Sequence, residues 1–171
     1  MKTNLEIYLG NHLSGAEIAI EMLRALIEKH RDELLGSAVE KLMDEIVADR
    51  EELRRIADKL GAKTPRGRQV LARWSAHIGR RKLRKANRRS FSTFQALEAL
   101  SLGIAGKEAL WRALDETMED GSADFIGISF ERLIERATAQ REVVEKFRVE
   151  LAPLVLGSAE KSAGTRLDAA R

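Results

Sequence analysis

Residues 35–60 read LGSAVEKLMDEIVADREELRRIADKL. Within them Leu35, Val39, Leu42, Ile46, Asp49, Leu53, Ile56 and Leu60 recur at alternating spacings of four and three. That period places all eight on one face of an α-helix, with the charged residues between them on the other. A strand would need alternation every second residue, which is absent here. One position breaks the apolar face: Asp49 stands where a hydrocarbon is expected. An unpaired carboxylate there would cost several kcal/mol in lost hydration, so it requires a partner.

Three further stretches repeat the pattern, and each also carries one polar interruption. They are Leu5, Leu9, His12, Ala16, Ala19, Leu23, Leu26; then Leu97, Leu100, Ile104, Lys107, Trp111, Leu114; then Phe130, Leu133, Ala137, Gln140, Val144, Phe147, Leu151. Four amphipathic helices predict an all-α four-helix bundle over residues 1–156 whose interior holds a polar layer of His12, Asp49, Lys107 and Gln140. The expected pairing is Asp49 with Lys107 or Arg50, and His12 hydrogen-bonded to Gln140 across the core.

Composition agrees with this. The chain has 171 residues, two prolines, no cysteine and 5% aromatic residues. One domain of that length buries about two thirds of the surface its unfolded chain exposes. Without cysteine there is no disulfide framework, thiolate metal site or cysteine nucleophile. No apolar run reaches the roughly 18 residues of a membrane span, and Glu6 stands where a signal peptide needs hydrocarbon. A soluble protein in the cytoplasm is the default expectation.

Local signals punctuate the helices. Thr3 with Glu6, Ser37 with Glu40 and Ser92 with Gln95 match the capping-box spacing and predict three helix starts. Gly36 is expected to close the first turn, Gly61 to end the second helix, and Thr64-Pro65 to open an extra helix over about 65–86. Leu114 to Asp124 reads as an acidic loop, Pro153 should end or kink the last helix unless Leu154, Val155 and Leu156 add one packed turn, and residues 157–171 read as a mobile tail. A short link between the first two helices makes them a hairpin. The long connection from Leu60 to Phe91 can return the chain along the bundle, so the second and third core helices should run parallel.

A hairpin, a long crossover and a second hairpin, with Glu17, Glu45, Asp49, Glu98 and Glu135 or Glu142 distributed over the four helices, resembles the ferritin-like superfamily. More narrowly the chain is similar to an uncharacterised bacterial group of that superfamily, in Tyr8 to Glu17 and Leu97 to Trp111. The resemblance implies a ferritin-like four-helix bundle and, as one reading, an iron or manganese site drawn from His12, Glu17, Glu45, Asp49 and Glu98. The Glu-x-x-His motif of di-iron members is absent, and a lysine beside a metal would repel it. The favoured account is therefore a non-catalytic binding or scaffold bundle, with a homo-oligomer as one form of it, in which an ion pair rather than a metal fills the layer.

Charge supplies a third reading. Residues 63–89 hold 11 Lys or Arg and no Asp or Glu, leaving 19 basic against 27 acidic residues elsewhere. Val70, Leu71, Trp74 and Ile78 would share one face of this basic helix, so Arg80, Arg81, Lys82, Arg84, Lys85, Arg88 and Arg89 are candidate contacts for nucleic acid or an anionic lipid surface. The alternative is pairing with the protein's own acidic surface or a second subunit.

Gly103-Ile-Ala-Gly106-Lys107 lacks the spacer and hydroxyl of a phosphate loop and lies within a helical period. Its glycines, like Gly10, Ser14 and Gly15, are expected to admit a close neighbouring helix. No Gly-x-Ser-x-Gly elbow or His-Glu-x-x-His is present to support catalysis.

Overall fold

A computed structural model describes residues 3–62, 88–117 and 127–157. Among them are four helices and no strand: α1 (Asn4–Lys29), α2 (Leu34–Lys59), α3 (Arg88–Thr117) and α4 (Phe130–Leu156). None is long and apolar enough to cross a membrane. The expected basic helix at 65–86, the acidic residues beyond Thr117 and the tail beyond Gly157 lie outside the described residues.

Helix α1 starts as its capping box requires. Thr3 Oγ1 accepts from the Glu6 backbone N–H at 3.2 Å, and Glu6 Oε2 accepts from the Thr3 N–H at 2.8 Å. Helix α2 ends at Gly61, whose φ is +66°. There the Gly61 N–H reaches Asp58 O at 3.1 Å and the Ala62 N–H reaches Ala57 O at 2.9 Å, which satisfies two carbonyls the helix end would orphan.

The other expected starts are corrected. Helix α2 opens at Leu34 after Glu33, with no side-chain cap, so Ser37 lies inside the helix. Gly36 sits in its first turn because the preceding turn folds back closely: a Cβ at Gly36 would stand 2.1 Å from His30 O. Ser92 lies inside helix α3, which is already helical at Arg88, and its hydroxyl instead accepts from Lys29 Nζ at 2.7 Å. Pro153 does not end α4, which continues for one turn to Leu156, although Leu154 and Leu156 stay exposed.

Which residues meet defines the topology. Glu17 of α1 bonds Arg50 of α2, and Lys29 at the end of α1 bonds Thr93 near the start of α3. Asp49 of α2, Lys107 of α3 and Gln140 of α4 share one level, while His30, Leu35, Thr93 and Leu151 share another toward one end. Hence α1 runs against α2 and α3, α2 and α3 are parallel, and α4 runs against both. The α1–α2 and α3–α4 hairpins pack closely within themselves and more loosely on each other.

The core follows the expected faces with one rotation. On α2, α3 and α4 the apolar seam is buried from Leu35 to Ile56, Leu97 to Leu114 and Phe130 to Val144, whereas Leu60 is exposed. On α1 the buried set is Leu9, Leu13, Ile20, Leu23 and Leu26. Leu13 and Ile20 each stand one residue, about 100° of helix, beyond the expected His12 and Ala19. The α1 face is therefore turned, which leaves Leu5 at the surface and His12, Ala16 and Ala19 at its edge.

Candidate functional site: a polar layer and the groove above it

The layer is built where the two hairpins meet. Asp49 is 2% exposed, and its Oδ2 accepts from the Lys107 ammonium and, at 3.2 Å, from Gln140 Nε2. Gln140, equally buried, accepts from Lys107 through Oε1, and its Nε2 also reaches Glu45 Oε2 at 3.1 Å. The guanidinium of Arg136 forms an ion pair with Asp49 Oδ1. Two cations thus face one carboxylate, and the amide of Gln140 bridges α4 to both acids of α2.

Burial pushes the Lys107 ammonium below the ordinary lysine range, and the charge and hydrogen bond of Asp49 oppose that shift. The position costs lysine hydration and is tolerable because the carboxylate lies beside it. With both oxygens of Asp49 engaged by cations, this carboxylate is no free base.

Three of the four polar interruptions therefore converge, and His12 does not. Its ring packs edge-on against Tyr8 at 4.7 Å between centroids, and partial burial lowers its pKa below the usual histidine value. The α1 rotation accounts for this: His12 lies beside the layer on the wall of a groove. The expected pairing of Asp49 with Arg50 is also replaced. Arg50 and Arg54 hold Glu17 at 3.0 and 2.7 Å, and both reach Glu51 as well.

The five residues considered as metal ligands are accordingly divided. Glu17 lies in the arginine pair, Glu45 and Asp49 lie in the layer, Glu98 is exposed on α3, and His12 stands at the groove. Among the described residues no group of three His, Asp or Glu side chains converges as a metal-ligand set. At Asp49 the positive charge is supplied by Lys107 and Arg136. The side chains considered for polyanion binding lie outside the described residues.

Between α1 and α3, above the layer, is an open cavity of about 280 Å³. Gly15, Ala16 and Ala19 line it from α1, Gly103 and Gly106 from α3, with Asp49, Lys107 and Trp111 among its other walls. The expectation that these glycines admit a tightly packed helix is overturned for three of them. A Cβ added at Gly15, Gly103 or Gly106 would meet nothing within 4 Å. The missing side chains leave space rather than contact.

A second cluster was not foreseen. His30, 7% exposed, has Nδ1 at 2.8 Å from Glu33 Oε2 and Nε2 at 2.9 Å from Thr93 Oγ1. In the neutral ring Nδ1–H donates to the carboxylate, and Nε2 accepts from the threonine hydroxyl. Lys29 also donates to Thr93 at 2.9 Å. This cluster ties the α1–α2 turn to the start of α3. His30 sits in a turn, outside any seam, so periodicity carried no signal for it. Arg136 did have one: it precedes Gln140 by four residues and shares its helix face.

No protein-family model, curated protein or solved structure matches the chain.

Proposed function

We propose that the protein is a non-catalytic binding module of ferritin-like type: a helical bundle whose polar layer sets the register of its helices and whose α1–α3 groove receives a ligand. The observation that carries this reading is the space facing Gly15, Gly103 and Gly106. Glycine within a helix costs about 0.5–1 kcal/mol relative to alanine. Three such residues around one cavity, none used for close packing, are a stability cost that a ligand-sized space explains.

The surrounding chemistry supports binding over catalysis. The strongest acid–base groups are joined to each other, and the cavity walls are mainly hydrocarbon, including Ile46, Leu53, Leu100 and Leu110. An apolar cavity of about 150 Å³ accommodates benzene. Benzene should therefore raise the melting temperature of this protein in a saturable way, and Gly103→Leu with Gly106→Leu should abolish the effect while the variant stays folded by circular dichroism. Absence of any saturable effect on the wild type from benzene and from substituted benzenes alike overturns this reading.

A second reading rests on the 11 basic residues, without an acid, at 63–89. There the chain would bind a polyanion by releasing counterions. Affinity for duplex DNA should fall steeply with salt and disappear when Arg80, Arg81, Arg84 and Lys85 are neutralised. Salt-insensitive binding would contradict that mechanism.

A further inference from the structure

The groove is not lined by hydrocarbon alone, and one of its polar groups is a buried donor without a partner. Trp111 is 1% exposed and forms part of the lining, yet its indole Nε1–H has no acceptor among the described residues. A buried donor left in that state costs free energy that an acceptor would recover. His12 also lines the groove, and its neutral ring offers one N–H and one acceptor nitrogen. Lys107 spends two of its three ammonium protons on Asp49 and Gln140. Among the described residues, the indole N–H of Trp111 is the buried donor there that still lacks an acceptor.

The charge at the site is already balanced. Glu45 and Asp49 stand against Lys107 and Arg136, and Glu17 and Glu51 stand against Arg50 and Arg54. An entering carboxylate or metal ion would bring a charge with no free partner into a largely apolar space, at the cost of its hydration. Size sets the remaining condition: scaled from benzene in about 150 Å³, a cavity of about 280 Å³ suits roughly ten or eleven non-hydrogen atoms.

We propose that the α1–α3 groove binds an uncharged, mainly apolar small molecule that carries a hydrogen-bond acceptor such as a carbonyl oxygen, with Trp111 Nε1 as the donor that recognises it. This inference rests on the groove being a binding site and adds the chemical class of its ligand.

Three probes of equal size test it on the full-length protein: acetophenone, which carries a carbonyl; α-methylstyrene, the same shape without an acceptor; and benzoate, which is charged. Acetophenone should bind about tenfold more tightly than α-methylstyrene, the worth of one buried hydrogen bond. It should also shift the Trp111 indole N–H resonance downfield in a nitrogen–proton correlation spectrum, and benzoate should bind most weakly. The Trp74 indole resonance serves as the internal control. Equal affinity for acetophenone and α-methylstyrene, or an unmoved Trp111 resonance, overturns the acceptor inference while leaving the groove a binding site. Tightest binding by benzoate overturns the requirement for an uncharged ligand. Binding of none of the three, and of no benzene either, removes the groove itself.

Discussion

Asp49 is the side chain with most to lose. It is almost wholly buried and holds Lys107, Arg136 and Gln140, so Asp49→Leu strands a buried ammonium and should cost about 3–5 kcal/mol. Replacing Asp49 and Lys107 together by leucine should cost much less than the sum of the two single changes. Arg136 does not spoil that cycle, because its side chain is 37% exposed and can turn to solvent, whereas that of Lys107, at 16%, has less water within reach. Urea denaturation of the four proteins measures the coupling, and additive losses would contradict the pairing. His12 makes a different prediction. Its folded pKa lies below its unfolded value because burial disfavours the imidazolium. The unfolded chain therefore binds the proton first as pH falls, and stability held above about pH 6.5 is lost progressively down through the folded pKa. His12→Gln should flatten that acid-side slope in denaturation measured from pH 7 to 5, and an unchanged slope would show that His12 does not titrate between the two states.

Helices α1 and α3 differ from α2 in what their small residues do. At Gly15, Gly103 and Gly106 alanine meets empty space, so each substitution should stabilise the protein by about 0.5–1 kcal/mol through helix propensity. At Gly36 the same change drives a Cβ into the His30 carbonyl, and Gly36→Ala should destabilise by about 1–3 kcal/mol. Chemical denaturation of the four alanine variants tests both signs in one experiment. The contrast shows what periodicity conveys. The α2 seam was readable because every residue from Leu35 to Ile56 that falls on it is buried. The α1 seam was misplaced because Leu13 and Ile20 form a second apolar stripe beside His12, Ala16 and Ala19. Both stripes suit a helix, and the neighbours choose between them. Capping failed similarly at Ser37 and Ser92, which lie inside their helices, and the Ser92 hydroxyl accepts from Lys29 instead of capping.

Two hairpins joined face to face have two seams between them, and they are filled differently. The seam between α2 and α4 is closed by Glu45, Asp49, Arg136 and Gln140, while that between α1 and α3 is held by Lys29 and the His30–Thr93 contact at one end and opens into the groove. A ligand that enters the groove contacts both hairpins and should stabilise the whole molecule by linkage. At a hundred times its dissociation constant the gain is about 2.7 kcal/mol. A denaturation midpoint that rises with acetophenone concentration in the wild type, and not in Gly103→Leu/Gly106→Leu, measures it.

The all-helical class, the two hairpins, the parallel course of α2 and α3 and the presence of polar residues on the inner faces were readable in the chain, which left Asp49 between Lys107 and Arg50 and set Gln140 against His12. They depend on local period, on the length of connections and on the cost of burying a charge unpaired, quantities that neighbouring residues already express. The rotation of α1, the second cation at Asp49, the exclusion of His12 from the layer and the groove itself came only with the assembled bundle. A glycine is spelled the same whether a helix presses against it or a void faces it, and a helix with two apolar stripes takes its orientation from the surfaces it packs upon.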